Sequence, residues 1–241
     1  MERGLYAAAT GMNIADQWIS TISNNLANAS TTAYKRDVLA FNEAYERQLT
    51  SEDGSKVGNL GVGPEAYRVI TVWEHGAVTP TGNPFDISIG SNRALFKVST
   101  PEGEAYSRNG ALSVSPDNQL CTSTGGLVLG TDGNPIRITS GQLAIDRNGT
   151  VSIDGKTVGQ IGFYAGTFSK IGDGNYASTD AAPVAATEAG VQQGFIEGSN
   201  VNVVEEMIAM VKLNRAFELA QKSAQSQDDS TQRLIGILQG R

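Results

Sequence analysis

The chain has 241 residues, long enough to bury a core without metal or disulfide staples, and its 18 Lys+Arg against 25 Asp+Glu leave a net charge of -7. No stretch gathers Lys or Arg into a stripe able to neutralise consecutive phosphates, which argues against nucleic acid as a partner. The single cysteine, Cys121, excludes an internal disulfide and a multi-thiolate metal site, and the single histidine, His75, excludes a two-histidine one.

The N-terminal segment carries Leu5, Ala8, Met12, Ala15, Ile19, Ile22 and Leu26 at alternating spacings of three and four, a heptad seam along one side of a helix. Its residues are small or medium-sized, and Gly4 and Gly11 lie inside or beside it, each costing a helix about 1 kcal/mol relative to alanine. Such a helix is expected to need a partner. The run from Ala27 to Thr32 is rich in Asn, Ser and Thr, which compete for backbone hydrogen bonds and should stop the helix near Asn28. The first twelve residues lack a basic stretch followed by an unbroken apolar run, so no cleavable secretory signal is expected. No segment approaches the apolar length of a bilayer span, and membrane insertion is not expected. Tyr34, Val38, Phe41, Tyr45 and Leu49 suit either a second helix or an extended arm, and Ser51 to Gly63 reads as a flexible or hairpin connection.

The middle of the chain alternates in short runs. Phe85–Ile89, Leu95–Val98, Ala111–Val114 and Leu143–Ile145 each fit a half-buried strand. Asp132-Gly133, Asn148-Gly149 and Asp154-Gly155 supply the left-handed geometry that tight turns need, and Gln142 to Ile153 reads as a hairpin turning at Asn148-Gly149. The expected fold is α+β by content: an N-terminal helix and arm over 1–63, a mainly-β domain of sandwich or irregular-barrel type over 64–190, and a C-terminal helix over 191–241. That last helix should be capped by Asn202, with Glu205 and Glu206 in its first turn at the positive end of the dipole. Val204, Ile208 and Val211, then Leu213, Ala216 and Ala220, form an apolar face that drifts, and Met207, Met210 and Phe217 widen it enough for more than one neighbour. Ser223 to Gln232 is a polar interval before Leu234, Ile235 and Leu238.

Nothing in the sequence demands catalysis or a cofactor. Asp146-Arg147-Asn148-Gly149 and Asp132-Gly133-Asn134 lack the spaced acidic ligands and closing Glu of a calcium loop, and the glycines at 58, 61, 63, 125 and 126 lack the strand–loop–helix setting of a phosphate cradle. His75 alone cannot carry a Ser/His/Asp relay without partners that the spacing does not suggest. A secreted polysaccharide-acting enzyme or an adhesin remains a second reading of the β-rich middle.

Ser23-Asn24-Asn25-Leu26-Ala27-Asn28-Ala29-Ser30-Thr31-Thr32-Ala33-Tyr34-Lys35-Arg36 resembles the signature near the start of flagellar rod and hook proteins. Glu197-Gly198-Ser199-Asn200-Val201-Asn202-Val203-Val204-Glu205-Glu206-Met207, followed by Asn214-Arg215-Ala216-Phe217-Glu218, is similar to that family's C-terminal signature. Thr81–Asp86 and Tyr106-Ser107-Arg108-Asn109-Gly110 resemble landmarks of its β domain. Two departures stand out: Gly90-Ser91-Asn92-Arg93-Ala94-Leu95-Phe96 replaces a Gly-Asp-Gly-Phe-Phe landmark, and Ala33-Tyr34 stands where Gly-Phe is common. The resemblance implies a structural subunit exported through the flagellar type III apparatus, which assembles with copies of itself and with other rod and hook subunits. It further implies that the two terminal helices pair as a coiled coil lining a tube, with Leu5 to Leu26 and Val204, Met207, Ile208, Val211 and Phe217 as the assembly surface. Asn24, Asn25 and Asn28 are implied to hydrogen-bond neighbouring backbone at the end of the first helix, and Asn200 and Asn202 are implied to belong to the assembly surface. The start Met1–Tyr6 and the compact segment between Gly172 and Val191 resemble a proximal rod subunit more than a distal one.

Overall fold

A computed structural model describes residues 2–41, 46–50, 56–61, 67–183 and 189–239. The chain is α+β, with a helix at each end of a mainly-β region. It divides into two compact units: one from 1–27, 37–72 and 202–241, the other from 28–36 and 73–201.

The first unit holds α1 (Glu2–Ala27) and α2 (Val203–Gln239), which pack against each other. The strands Asp37–Phe41 and Tyr67–Thr71 pair antiparallel, Asp37 opposite Thr71, and Glu46–Thr50 pairs with Lys56–Gly61. The segment from Tyr34 to Leu49 is therefore extended where it is described. The 3.6-residue spacing of its apolar side chains loses to strand pairing, because Asp37–Phe41 finds a partner ladder in Tyr67–Thr71. Tyr45, Ser51 to Ser55, and Gly63 lie outside the described residues. The connection expected from Ser51 onward supplies, in Lys56–Gly61, a strand of the hairpin.

The second unit is built on a sheet whose spatial order is Ser169–Gly172, Asn175–Ala177, Gly103–Ser107, Leu95–Thr100, Leu127–Val128, Leu120–Thr122, Leu112–Val114. Phe163–Ala165 also pairs with Leu95–Thr100. A three-stranded sheet, Leu143–Ile145, Thr150–Ile153 and Lys156–Gln160, contributes Leu143, Ile145, Val151 and Ile153 to the same apolar core as Phe96, Val98, Leu112, Leu120 and Val128. In Thr150–Ile153 the buried residues Val151 and Ile153 alternate with half-buried Thr150 and Ser152, the period of two of a strand with one face inward. The hairpin turns where the sequence placed it: Ile145 opposes Val151, and Gly149 has φ +75. Asp154 and Gly155, both at positive φ, make the next turn. A smaller apolar cluster, Leu95, Phe168 and Tyr176, packs against Trp73 and Tyr106, with the Trp73 and Tyr176 rings 5.1 Å apart. Cys121 is buried, its Sγ 3.2 Å from the Ser113 hydroxyl, as a small apolar residue would be.

Candidate assembly interface

The side that α1 buries carries Ala8, Ala15 and Ile22 at seven-residue spacing, with Met12, Ile19 and Leu26 half-buried beside them. The expected seam is thus the inward side of the helix. Leu5 lies within α1, and its side chain is outside those described. On α2 the inward residues Met210, Leu213, Phe217, Ala220, Ala224, Gln227 and Thr231 recur at alternating spacings of three and four. Val204, Met207, Ile208 and Val211 are not among them. They are 64%, 56%, 51% and 52% exposed on the opposite side of α2. The sequence pattern merges these residues with Leu213, Ala216 and Ala220 into one drifting face. The structure separates two faces, and Ala216 belongs to neither, since it is exposed on the flank. The split has a simple cause: seven-residue spacing keeps 206, 213, 220 and 227 on one side, whereas 204, 208 and 211 lie about half a turn away.

Asn25 ends the seam as a polar residue that is 1% exposed. Its Oδ1 accepts the Asp37 N–H at 2.9 Å and its Nδ2 donates to the Asp37 carbonyl at 2.8 Å, so one side chain reproduces a strand's pair of backbone bonds. Nδ2 also lies 3.4 Å from Oε1 of Glu206, which is buried in the first turns of α2. Asn25 thereby joins the end of α1, the first strand and the start of α2. Asn25→Ala leaves both Asp37 groups without these partners and is expected to cost about 2 kcal/mol, read as a lower urea midpoint with the helical signal retained. Asn28 accepts from the Thr31 hydroxyl at 3.1 Å, and Asn24 is exposed. Asn202 caps α2 as expected, its Oδ1 accepting from the backbone of Val204 and Glu205 at 3.2 and 3.4 Å.

In the second unit, Asn200 ties three segments by accepting the Arg36 N–H at 2.7 Å and donating to the Glu74 carbonyl at 3.1 Å. Beside it lies a buried charge cluster that spacing alone does not reveal. Glu197 is 2% exposed; its Oε1 accepts from Lys35 Nζ at 2.5 Å and its Oε2 from Arg108 Nε at 2.7 Å. Lys35 also donates to the Glu74 carbonyl at 2.7 Å, and the Gly76 N–H donates to Glu197 at 3.1 Å. The rest of the Arg108 guanidinium donates to the carbonyls of Ser91, Ala94 and Ile89 at 2.6, 2.9 and 3.0 Å. The carbonyls of Ser91 and Ala94 in the Gly90–Phe96 bend thus converge on one cation, and the bend needs no second glycine because none of its residues takes a positive φ. His75 Nε2 donates to the Gly90 carbonyl at 2.8 Å, and its Nδ1 lies 3.2 Å from Arg108 Nη2 and 3.3 Å from Glu197 Oε1. Burial works against ionisation of Glu197, yet Arg108 and then Lys35 outweigh it and hold its carboxyl below the ordinary range. Burial first, and Arg108 second, push the Lys35 ammonium down, against the pull of Glu197. The signal available in the sequence was that Lys35, Arg108 and Glu197 each fall inside a different one of the family-like segments. Ala33, two residues before Lys35, has φ +56 and is 3% exposed, which explains why glycine suits that position.

Among the described residues no helix is long and apolar enough to cross a membrane. Three family models match the chain: "Flagella basal body rod protein" over residues 5–35, "Flagellar hook protein FlgE/F/G D1 domain" over 91–153, and "Flagellar basal body rod FlgEFG protein C-terminal" over 192–237. The flagellar basal-body rod protein FlgF of Caulobacter vibrioides is 31% identical, with 92% of each chain covered. FlgF of Rhizobium meliloti is 29% identical over 100% of this chain and 99% of its own. FlgG of Bacillus subtilis is 29% identical over 98% and 99%. The first and last matched segments contain the residues that build the helix seam, Asn25, Lys35 and Glu197.

Proposed function

This chain belongs to the flagellar basal-body rod proteins, and from that premise we propose that it is a structural subunit of the rod, without catalytic activity, that polymerises through α1 and α2 into an axial tube. The pair of terminal helices is its assembly element, a coiled coil formed from segments within 1–63 and 191–241. The β region within 64–190, a sandwich or irregular barrel, faces outward. Its neighbours are other rod and hook subunits and further copies of itself. It reaches the flagellum through the flagellar export apparatus with its N-terminus uncleaved, and the start Met1–Tyr6 supports a proximal position in the rod.

The observation that carries this reading is the apolar side of α2 turned away from α1. Val204, Met207, Ile208 and Val211 are all more than half exposed, although the same helix buries a separate apolar side against α1. Water-exposed apolar side chains at helical spacing are stabilised by a neighbour at roughly 25 cal/mol per Å² covered. Ile208→Asp together with Val211→Asp should leave the far-ultraviolet spectrum and the unfolding midpoint of the monomer nearly unchanged. In cells it should cut incorporation into basal bodies, and motility with it, at least tenfold, since each charge would be trapped in an apolar contact at a cost of about 2 kcal/mol or more. Wild-type incorporation of the folded variant would overturn the proposal.

A further inference from the structure

The exposed side of α2 is more specific than a bare apolar stripe. Met207, Ile208 and Val211 floor an open groove of about 320 Å³ that Lys212 and Arg215 also line. Among the described residues neither cation enters an ion pair. An apolar floor beside two unpaired cations fits a helix that offers small side chains and a carboxylate. The chain possesses one. On the outward side of α1, Ala9, Asn13, Asp16, Ser20 and Ser23 are exposed at alternating spacings of four and three, and Asp16 stands at their centre. It is the one acidic residue of α1 after Glu2, and it too makes no ion pair among the described residues.

This surface lies about a third of a turn round α1 from the seam Ala8–Ala15–Ile22, and the groove lies on the side of α2 turned away from α1. Within one molecule the strip therefore does not face the groove, and the two can meet only between molecules. We propose that the outward side of α1 of a second copy seats in the α2 groove, with Asp16 against Lys212 and Arg215. This contact rests on the assembly reading above and names its partner surface. Two different surfaces meet, so the contact is heterologous: it leaves a free groove at one end and a free α1 at the other, and it repeats instead of closing as a dimer. Small side chains on α1 let the helices approach closely, and the charge pair fixes register more than it adds affinity.

The test uses the purified full-length chain in a concentration series followed by sedimentation velocity. Asp16→Lys should weaken association roughly tenfold, and so should Lys212→Glu with Arg215→Glu. Mixing the two variants should restore mixed complexes, since each offers the other its complementary charge, and one chain carrying all three changes should associate within about threefold of wild type. These positions are exposed, so the helical spectrum should not change. Equal association of the single-sided variants and wild type, or a mixture no better than its components, overturns the pairing. A wild-type chain that stays monomeric throughout overturns a second copy as the occupant. Loss of association in Ile208→Ser but not in the charge variants puts another helix in the groove and leaves the assembly reading standing. Association untouched by Ile208→Ser as well removes that reading itself.

Discussion

Glu197→Gln is expected to remove about 3–5 kcal/mol of stability, because it leaves the buried cations of Lys35 and Arg108 around a neutral amide. Urea unfolding followed by the fluorescence of Trp73, in a Trp18→Phe background, reads it directly. The double change Glu197→Gln with Lys35→Met should recover part of the loss, since it withdraws one stranded charge. Simple additivity of the two would mean that the residues act independently. The same carboxylate sets an acid limb. Its folded pKa lies below its unfolded one, near 4.5, so within that window the unfolded chain binds more protons and stability rises with pH. The contribution is complete above about 4.5 and disappears as pH falls through the folded value. Wild type should therefore lose stability steeply on acidification below pH 4.5, and Glu197→Gln should flatten that limb. Lys35 acts at the other end. Its folded pKa is depressed from 10.5, so the cost of its buried charge is relieved only as pH rises through the folded value towards 10.5.

The second large effect is expected at Gly110. A Cβ there would lie 1.8 Å from the carbonyl oxygen of Ile87, closer than any real contact. The strand cannot step aside cheaply. Gly110 accepts the Ile87 N–H at 2.9 Å, and Ile87 is 1% exposed in the main core. Gly110→Ala should cost about 3 kcal/mol, through a broken backbone bond and a displaced core side chain, and should lower the thermal midpoint by several degrees. An unchanged midpoint would show that the approach of the two backbones relaxes without loss. The landmark Tyr106-Ser107-Arg108-Asn109-Gly110 is then intelligible residue by residue. Arg108 crosses the unit to Glu197, Asn109 accepts the Ala111 N–H at 3.1 Å, and Gly110 admits a neighbouring chain that any side chain would exclude.

What could be read from the sequence was what is local. The stop after Ala27, the cap at Asn202 and the turn at Asn148-Gly149 depend on bonds between residues a few positions apart, and each lies where spacing and turn chemistry put it. The strand Asp37–Phe41 was ambiguous because its partner, Tyr67–Thr71, lies across a connection that local pattern does not span. The two faces of α2 were hidden for another reason. An apolar residue looks the same in a heptad list whether it meets α1 or water, and only the position of the first buried residue, Glu206, sets the phase. The charge cluster was least legible, since Lys35 and Glu197 are 162 positions apart and a lysine in a family-like segment gives no sign of being 0% exposed.

That distance also orders events in time. A polypeptide emerging from its N-terminal end presents Lys35 first and Arg108 later, both destined for a dry interior. The anion that they share, Glu197, arrives after about four-fifths of the chain has appeared. The strand Phe195–Glu197, which completes the ladder with Val78–Pro80, comes at the same late moment. Until then the growing segment holds two positive charges that favour water over burial, so premature collapse is penalised and completion waits for a single late residue.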